Sequence, residues 1–563
     1  GSNLPPMQLK TNGDVRRSYR LALACTGEYS VAVAGTSTPS KALSLSAMTT
    51  TMNRVNGVYE REVNVHMEII ATNDDIIYLD GTTDPFTGNF SGGILKGENQ
   101  ENTDTVIGTL NYDIGHIFST GLGGIAELGS VCEITSKAEG VTGQPNPTGD
   151  AFAIDFVAHE MGHQFGATHS FNANTSACNG NGASISSYEP GSGSTIMGYA
   201  GICGAGNNLQ GNSDDYFHSA SLGQIAEFIA DITGGGLCAV ATPSGNTAPS
   251  IPSIAQAYTI PYLTPFELEA PEATDADHDE ITYCWEEWDL GDFKASFDKT
   301  RVYGPIFRSL KPATSRWRVF PTLDTLRKNI TSYLGEKLPD TSRTLRFKLT
   351  VRDMYNGHGA FQVAEDVTTL NVVHTAGPFK ISMPNGYSDY WVSGATATVT
   401  WDVANTTAAP VNCSNVNIYL SVDDGVTYPY TLASNTPNDG SETVNVPAGI
   451  YAEGCRVKVK GAGNVFFDIN DIRFPIFPWP QDVSNVDKED AISVYPIPAK
   501  DMVTITGNGT YNAIVINSIG QQLWRGNITQ QASIDTKGWA SGIYYLHLTD
   551  ADKHNLVKKL VIQ

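Results

Sequence analysis

The sequence has no run of about 18 consecutive apolar residues, the length that a helix needs to cross a membrane. It is also poor in basic residues, because 35 Lys and Arg stand against 59 Asp and Glu and leave a net charge of −24 at pH 7. Such an excess of negative charge repels phosphate groups. We therefore expect no transmembrane segment and no nucleic-acid partner, and the composition is typical of a secreted protein.

Cysteine is scarce, with eight residues in a chain of 563. Most of them are placed as if to pair, which indicates an oxidising compartment. Cys25 and Cys284 are left over, and Cys25 lies in an apolar run that favours a buried thiol over a reactive one. Two pairs predicted from their placement along the chain are Cys178 with Cys203 and Cys413 with Cys455.

One eleven-residue pattern carries most of the chemical information: His159-Glu160-Met161-Gly162-His163-Gln164-Phe165-Gly166-Ala167-Thr168-His169. Histidines four apart lie on one face of a helix, so both imidazoles can reach one metal ion. Asp150 is a plausible N-cap for that helix, and Gly166 supplies the backbone freedom to end it. The apolar residues that recur at helical spacing predict a buried stripe of Ile154, Val157, Met161 and Phe165.

The turn after this helix brings His169 back as a third ligand beside His159 and His163. Three neutral imidazoles leave one position of a tetrahedral ion open, which is the arrangement of a catalytic zinc site. Glu160 stands directly beside the first histidine of this set.

Downstream, residues 194–199 read Ser-Thr-Ile-Met-Gly-Tyr. With the histidine motif, this segment resembles the metzincin zinc endopeptidases, in which a methionine turn lies under the metal. The resemblance implies that Met197 forms the floor of the site and that Glu160 activates water for attack on a peptide carbonyl. It also implies hydrolysis of protein or peptide substrates.

Residues 123–132 resemble the edge strand and following cysteine of the adamalysin (reprolysin) branch. This implies that Gly124, Ile125 and Ala126 pair with an extended substrate. It also implies a disulfide between Cys132 and Cys238, which would close the catalytic domain.

Two departures from the adamalysin pattern leave the branch open. Ser170 stands where adamalysins usually carry Asp, and Tyr199 lies two residues after the turn methionine, as in astacins and serralysins. In those branches the tyrosine can bind the resting zinc and then stabilise the reaction intermediate. Tyr199 is therefore either a catalytic residue or a residue that packs beneath the site.

Beyond about residue 250, short β-branched and aromatic runs predict two Ig-like or fibronectin-like sandwiches, with one possible helical piece around 322–334. Asp275, Asp277 and Asp279 resemble the acidic loops of cadherin-like repeats and are a possible Ca²⁺ site. A solvated acidic turn is the alternative.

The C-terminal segment resembles the sorting domain of type IX secretion cargo in Bacteroidetes. The resemblance implies recognition by the type IX secretion machinery and a location outside a Gram-negative cell, secreted or at its surface. Gly1-Ser2 resembles an expression remnant, so we expect that a leader and any pro-segment have been removed. The stretches that carry the sorting resemblance are 494–501, 518–523, 542–546 and 558–563.

These patterns predict a multidomain, monomeric protein with an α/β metzincin domain, two all-β sandwiches and a small β-sandwich sorting domain. We expect a secreted zinc endopeptidase, and the alternative is a surface adhesin with an inert metzincin domain. Intact ligands and Glu160 favour the enzyme. The predicted domains are 1–242 (metzincin), 250–375 (Ig-like or cadherin-like), 376–478 (fibronectin-like) and 492–563 (sorting), with linkers at 242–249 and 481–490.

Overall fold

A computed structural model describes most of the chain as two compact units. The first comprises the described residues up to Phe379 together with Ala404–Ser414 and Gly463–Asp468, and the second comprises the rest. Within the described part of the chain, no helix is long and apolar enough to cross a membrane. The described residues are 11–35, 38–292, 303–330, 333–478, 492–517, 519–551 and 555–563.

Four short features expected from the sequence lie wholly or partly outside these ranges. They are the remnant Gly1-Ser2, the helical piece around 322–334, the linker at 481–490, and Ser518, the first residue of the sorting stretch 518–523.

The first unit begins with an α/β domain around a six-stranded sheet. Parallel strands form most of this sheet, in the order β3-β2-β4-β6, and β5 and β7 join it antiparallel at β6 and β2. The strands are β1 (Thr11–Asn12, in another sheet), β2 (Val15–Cys25), β3 (Val65–Ile69), β4 (Ile114–Ser119), β5 (Gly123–Ala126), β6 (Gly140–Gly143) and β7 (Val240–Pro243). The helices are α1 (Gly27–Ala34), α2 (Lys41–Val63), α3 (Gly92–Val106), α4 (Gly149–Phe152), α5 (His159–Gln164) and α6 (Ser219–Ala230).

Both faces of β2 are buried, as expected for a parallel strand covered by helices. Tyr19, Leu21 and Leu23 face one hydrophobic core, and the alternating residues Ala22 and Ala24 face another. The first core includes the residues of α2, α5 and α6, so the central strand fixes the layer in which the metal motif lies.

The helix α2 precedes β3 and spans 23 residues. Ser40 caps its N-terminus by accepting a hydrogen bond from the Leu43 backbone, and Asn64 ends it in the left-handed conformation. Leu43 itself is exposed. Further apolar residues at helical spacing along α2 are buried: Met48, Met52, Val55 and Tyr59.

The first β-sandwich belongs to the same unit. Its larger sheet has the order β1-β13-β12-β14-β8, with β10 also on β12, and β9 pairs with β11 in a second sheet. The elements are β8 (Ala257–Pro261), β9 (Phe266–Glu269), β10 (Thr282–Glu287), β11 (Trp317–Phe320), α7 (Leu323–Arg327), β12 (Arg343–Tyr355), β13 (His358–Val363) and β14 (Thr368–Val373).

This sandwich packs directly on the α/β domain. Phe361 and Val363 of β13 join the hydrophobic core of that domain. The buried Arg352 of β12 lies 3.1 Å from the carboxylate of Glu62 in α2 and donates to the carbonyl of Phe217 at 2.9 Å. The α/β domain and the first sandwich therefore share one interior.

The second unit contains a further β-sandwich. One sheet has the order β15-β17-β20, and the other contains β16-β23-β21-β18-β19. The strands are β15 (Lys380–Met383), β16 (Trp391–Val392), β17 (Thr396–Asp402), β18 (Asn415–Ser421), β19 (Tyr430–Pro437), β20 (Ser441–Asn445), β21 (Ala452–Gly461) and β23 (Phe474–Phe477). A further short strand, β22 (Phe467–Ile469), begins in residues that belong to the first unit.

The C-terminal domain is an antiparallel five-stranded β-structure in the order β24-β25-β27-β28, with β26 also paired to β25. Its core includes Val503, Val515, Leu546 and Leu560. The chain is thus an α/β domain followed by all-β domains, as predicted. The strands are β24 (Ile492–Tyr495), β25 (Met502–Asn517), β26 (Gln522–Asp535), β27 (Gly542–Thr549) and β28 (Asn555–Ile562).

The predicted disulfide between Cys413 and Cys455 is wrong. Both residues are buried, but neither forms a disulfide. Cys413 belongs to the segment Ala404–Ser414 of the first unit, whereas Cys455 lies in β21 of the second unit. Proximity along the sequence was the basis of the predicted pair, and it does not by itself bring two sulfur atoms together. Cys25 is a buried thiol, as expected, and Cys284 is buried as well.

Candidate metal centre

One continuous helix carries His159 and His163. It runs from Gly149 to Gln164 as α4, a π-helical segment (Ala153–Ala158) and α5. Its N-cap is Thr148 and not the predicted Asp150, because Asp150 lies in the first turn and forms an ion pair with Arg54 at 2.8 Å. The predicted apolar stripe is buried throughout: Ile154, Val157, Met161 and Phe165.

The turn after the helix depends on Gly166, whose φ of +88° favours glycine. The Gly166 amide donates to His163 at 2.8 Å, and the Ala167 amide donates to Gly162 at 2.8 Å. A Cβ at position 166 would also lie 3.2 Å from Phe228. Gly166 thus ends the helix and redirects the chain toward His169.

The three histidines converge through their Nε2 atoms. The distance from His169 Nε2 is 3.0 Å to His163 Nε2 and 3.1 Å to His159 Nε2. Ligand atoms of a tetrahedral zinc at about 2.0–2.1 Å are separated by roughly 3.3 Å. The spacing is therefore close to that of three ligands on one ion.

The other ring nitrogens fix the tautomers. His159 Nδ1 lies 2.7 Å from the Ile196 carbonyl, His163 Nδ1 lies 2.7 Å from the Ala167 carbonyl, and His169 Nδ1 lies 2.5 Å from the Asn181 carbonyl. A carbonyl can only accept, so each Nδ1 carries the proton and each Nε2 presents a lone pair. Three lone pairs that face one another need a cation between them, and these residues therefore fit a metal ion.

Burial keeps the imidazoles neutral. It lowers the pKa of His163 to about 4 and, with the charge of His163, the pKa of His169 to about 3. Burial and the two neighbouring imidazoles hold the pKa of His159 well below its ordinary value. All three residues are therefore in the metal-binding form at neutral pH.

Glu160 lies beside this cluster and is 5% exposed. Burial raises the pKa of its carboxyl group to about 8, which makes it a stronger base than an ordinary glutamate. A Cβ on Gly124 of β5 would lie 2.3 Å from Glu160 Oε1 and 2.4 Å from its Cγ. The absence of a side chain at Gly124 therefore leaves the room that the Glu160 side chain occupies.

The strand β5 lies at the edge of the sheet, next to β6. Gly124 faces Glu160, whereas the side chain of Ile125 points toward α3, since a Cβ on Gly92 would meet it at 2.9 Å. Ile125 is 39% exposed and Ala126 is partly exposed. The three residues predicted to pair with substrate thus form an edge strand next to the candidate base.

Met197 lies beneath the helix and is fully buried. A Cβ on Gly162 would meet Met197 Sδ at 2.5 Å, so Gly162 allows the sulfur to approach the helix between His159 and His163. The Ser170 amide donates to the Met197 carbonyl at 3.1 Å. The methionine and the third histidine are therefore tied together through the backbone.

Tyr199 packs against the ligands. Its ring centroid lies 4.6 Å from that of His169, 4.7 Å from that of Phe171 and 5.4 Å from that of His159. Burial, and secondarily the charge of Glu160, raises the pKa of the phenol. Its hydroxyl therefore stays protonated and can donate a hydrogen bond.

Two disulfides close this domain, as predicted. Cys132 is joined to Cys238 with a Cα–Cα distance of 5.5 Å, and Cys178 is joined to Cys203 with 5.1 Å. The second bridge spans the methionine turn, because its cysteines precede and follow Met197.

The sequence offered no motif for Glu189, which organises the loop below the metal ligands. Its buried carboxylate accepts from Ser170 Oγ at 2.5 Å, from the Ser194 amide at 2.8 Å and from the Thr195 amide at 3.2 Å. Glu189 thus links the residue after His169 to the methionine turn. The signal available in the sequence was a single acid within a run of small polar residues.

The acidic loop of the first sandwich also forms a cluster. Carboxylate oxygens of Asp275, Asp277 and Asp279 lie within 4.8 Å of one another. Two residues that the sequence did not single out border it: Asp353 is 4% exposed and Asn246 is 3% exposed. Burial and the charges of Asp275 and Asp279 raise the pKa of Asp353 to about 7.

Four oxygens around this cluster are buried and accept no hydrogen bond from the described residues. They are Asp275 Oδ2, Asp279 Oδ2, Asp353 Oδ2 and Asn246 Oδ1.

Comparison with family models gives two matches. Residues 15–228 match the model of the reprolysin-like metallo-peptidase family M12B, and residues 493–563 match that of the secretion system C-terminal sorting domain. No curated protein sequence matches the chain.

Solved structures overlap parts of the chain at low similarity. SGBP-B of the Bacteroides ovatus mixed-linkage glucan utilization locus, in complex with a heptasaccharide, is 12% identical, with 56% of this chain and 71% of that chain covered and a TM-score of 0.16. The FN1–FN3 domains of chicken CNTN1 are 10% identical, with 56% of this chain and 97% of that chain covered and a TM-score of 0.14. The fibronectin(III)-like modules of Clostridium thermocellum CbhA are 11% identical, with 33% of this chain and 93% of that chain covered and a TM-score of 0.15.

The match to the first family model includes all three histidines, Glu160 and Met197. Residues 15–228 therefore form a domain of the reprolysin-like M12B metallo-peptidase family, and the chain ends in a secretion system C-terminal sorting domain.

Proposed function

We propose that the protein is a zinc-dependent endopeptidase that hydrolyses internal peptide bonds of protein substrates. The observation that carries this proposal is the convergence of three histidine Nε2 atoms with every Nδ1 bonded to a carbonyl. His159, His163 and His169 would hold Zn²⁺, which supplies Lewis-acid polarisation of the substrate when bound. Three protein ligands leave a position for substrate, as in catalytic sites.

Glu160 is the general base in this proposal. Its carboxylate accepts a proton from the attacking water and returns it to the amine that leaves. Support comes from its burial beside the three histidines and from the closely fitting Gly124. Since Glu160 handles protons and does not bind the metal, its removal leaves the ligand set complete.

The exposed edge of β5 is the proposed substrate strand. An extended peptide that pairs with Gly124, Ile125 and Ala126 extends the sheet by one strand and lies beside Glu160. Backbone pairing of this kind binds many sequences, and pockets for side chains then set the preference.

Tyr199 is proposed to donate its hydroxyl to the oxyanion that develops at the scissile carbonyl. Its ring contacts with His159 and His169 support this role, as does the raised pKa that keeps its hydroxyl protonated. In the alternative, Tyr199 only packs against His169 and Phe171. The two roles differ in whether the hydroxyl affects turnover.

The sorting domain supports export by a type IX secretion system and a final location outside the cell, secreted or at its surface. Export to that location would make extracellular proteins the substrates of the proposed peptidase. It also agrees with the two disulfides of the protease domain, which are stable in oxidising compartments.

Glu160→Ala tests the proposed function directly. We expect the variant to lose casein cleavage and to keep one zinc per chain, measured by metal analysis after purification without chelators. Cleavage by the variant at the wild-type rate would refute the mechanism. A wild type that binds no zinc and cleaves nothing would favour the alternative of a surface adhesin with an inert protease domain.

We also propose that the acidic cluster of the first sandwich binds Ca²⁺. Four buried oxygens without donors, contributed by Asp275, Asp279, Asp353 and Asn246, support a hard cation with oxygen ligands. Asp277 supplies a further carboxylate, one oxygen of which accepts from the Thr247 amide at 2.7 Å.

Calorimetric titration with CaCl₂ tests this site. We expect binding by the wild type and a higher melting temperature in Ca²⁺ than in EGTA, with both effects lost in Asp353→Asn. Asp366→Asn, at a carboxylate outside the cluster that bonds Ser253, is the matched control and should behave as the wild type. If the wild type neither binds Ca²⁺ nor melts at a higher temperature in Ca²⁺, the proposal is refuted and the loop is a solvated acidic turn.

A further inference from the structure

Ser309 of the first sandwich reaches into the protease domain. It lies between β10 and β11 and is 3% exposed. Its Oγ donates to Glu286 Oε1 at 2.5 Å and accepts from the Tyr216 hydroxyl at 2.7 Å. Its carbonyl accepts from Ser194 Oγ at 3.2 Å. One residue of the sandwich therefore bonds two residues of the protease domain.

Those two protease residues support the methionine turn. The Ile196 amide donates to the Tyr216 carbonyl at 3.1 Å, and the Ile196 carbonyl accepts from His159 Nδ1 at 2.7 Å. Ser194 lies two residues before Ile196, and its amide donates to Glu189 at 2.8 Å. A series of hydrogen bonds thus connects the His159 ring to Ile196, Ile196 to Tyr216 and Tyr216 to Ser309.

A second contact holds the loop that carries Glu189. Ser187 and Gly291 of the sandwich exchange two hydrogen bonds of 2.8 Å, one from the Gly291 amide and one from Ser187 Oγ. The ring of Tyr188 stacks on Trp288 of the sandwich with a centroid distance of 4.1 Å. The residues immediately before Glu189 are therefore fixed by the same domain.

Glu286 of β10 forms a third contact, at the N-terminus of α6. It is 1% exposed, and it accepts from the Ser219 amide at 2.9 Å and from the Ser219 hydroxyl. Burial would raise the pKa of its carboxyl group, but His218, Arg352 and the hydroxyl donors outweigh burial and hold the pKa below its ordinary value. An ionised carboxylate at the positive end of a helix stabilises that end.

We infer that Ser309 and Glu286, although they belong to the first β-sandwich, are positioning residues of the metal centre. They act through Tyr216 and Ile196 on the orientation of His159, and through Ser194 on the methionine turn. This inference rests on the proposed function of a zinc peptidase. The sandwich is accordingly part of the catalytic apparatus and not a separate binding module.

The test measures the metal centre in the full chain carrying Ser309→Ala. Loss of an outer partner of a metal ligand lowers metal affinity or activity by about 10- to 100-fold. Because Ser309 acts at a further remove, we expect about a tenfold loss of zinc affinity in a chelator competition. We also expect an altered visible spectrum of the Co²⁺-substituted protein and a lower kcat with unchanged KM.

Thr368→Val is the matched control. Thr368 is a buried hydroxyl of the same sandwich, and it donates at 2.8 Å to Ile254, also in the sandwich. It should lower the melting temperature about as much as Ser309→Ala while zinc affinity, cobalt spectrum and kcat remain those of the wild type. Equal effects of both substitutions on zinc would mean that stability alone is involved, and would overturn the inference.

Tyr216→Phe removes the hydrogen bond from the Tyr216 hydroxyl to Ser309 by a change in the protease domain. It provides an independent test if Ser309→Ala does not fold. If Ser309 acts through Tyr216, the double variant is no worse than the more affected single variant. Wild-type zinc affinity and cobalt spectrum in both single variants would refute the inference while the proposed function stands. A wild type that binds no zinc would refute the proposed function itself.

Discussion

Substituting Gly124 with alanine should inactivate the enzyme without unfolding it. The added Cβ would lie 2.3 Å from Glu160 Oε1, 2.4 Å from its Cγ and 2.5 Å from its Cδ. An ordinary contact for carbon needs about 3.5 Å, so the carboxylate has to move by roughly 1 Å. The Glu160 side chain can rotate away at small cost in stability, but the group that moves is the proposed base.

A misplacement of about 1 Å at a reacting group costs on the order of 10²-fold in rate. We therefore expect kcat/KM of Gly124→Ala to fall about a hundredfold on a fluorogenic peptide, with zinc content unchanged and little change in melting temperature. Gly93→Ala is the control, because a Cβ at this position of α3 meets nothing within 4 Å. Activity of Gly124→Ala within threefold of the wild type would show that Glu160 does not need its present position.

Three further predictions concern the surroundings of the metal. Tyr199→Phe should lower kcat about a hundredfold at unchanged KM and zinc content if the hydroxyl stabilises the oxyanion; a change of only a few-fold would assign Tyr199 to packing. Glu189→Gln should weaken zinc binding about tenfold in chelator competition, since it places a side-chain NH₂ group against hydroxyl and amide donors that the carboxylate accepts from. Wild-type affinity would contradict the role of Glu189. Replacing Cys178 and Cys203 with serine should destabilise the domain by about 3 kcal/mol in denaturant unfolding, given their separation of 25 residues; unchanged stability would mean that the bridge constrains nothing.

The convergence of His159, His163 and His169 could be predicted from the sequence because their spacing is local. Two histidines four apart on a helix and a glycine that ends it determine most of the geometry, and the structure places His169 beside them. The disulfide between Cys132 and Cys238 was also predictable, but only by resemblance to a family. The helix that carries His159 and His163 lies where the sequence predicts it, although its N-cap is Thr148 and not Asp150.

The supports of the site could not be predicted in the same way. Glu189, Glu286 and Ser309 matter through contacts with residues that are distant in sequence or in another domain. Asp353 lies 74 residues after Asp279 and joins the acidic cluster only because β12 passes beside that loop. The pairing of Cys413 with Cys455 was wrong because proximity along the sequence does not decide whether two sulfur atoms meet.

The pairing of β1 with β13 has a consequence for how the protein is made. Thr11 is aligned with Gln362, so the second strand of this pair is synthesised roughly 350 residues after the first. Phe361 and Val363 then complete the core that contains α2 and the metal-binding helix. Contacts over such a distance form late, since the intervening chain must first be available. The α/β domain therefore completes its interior only after strand β13 of the first sandwich has been synthesised.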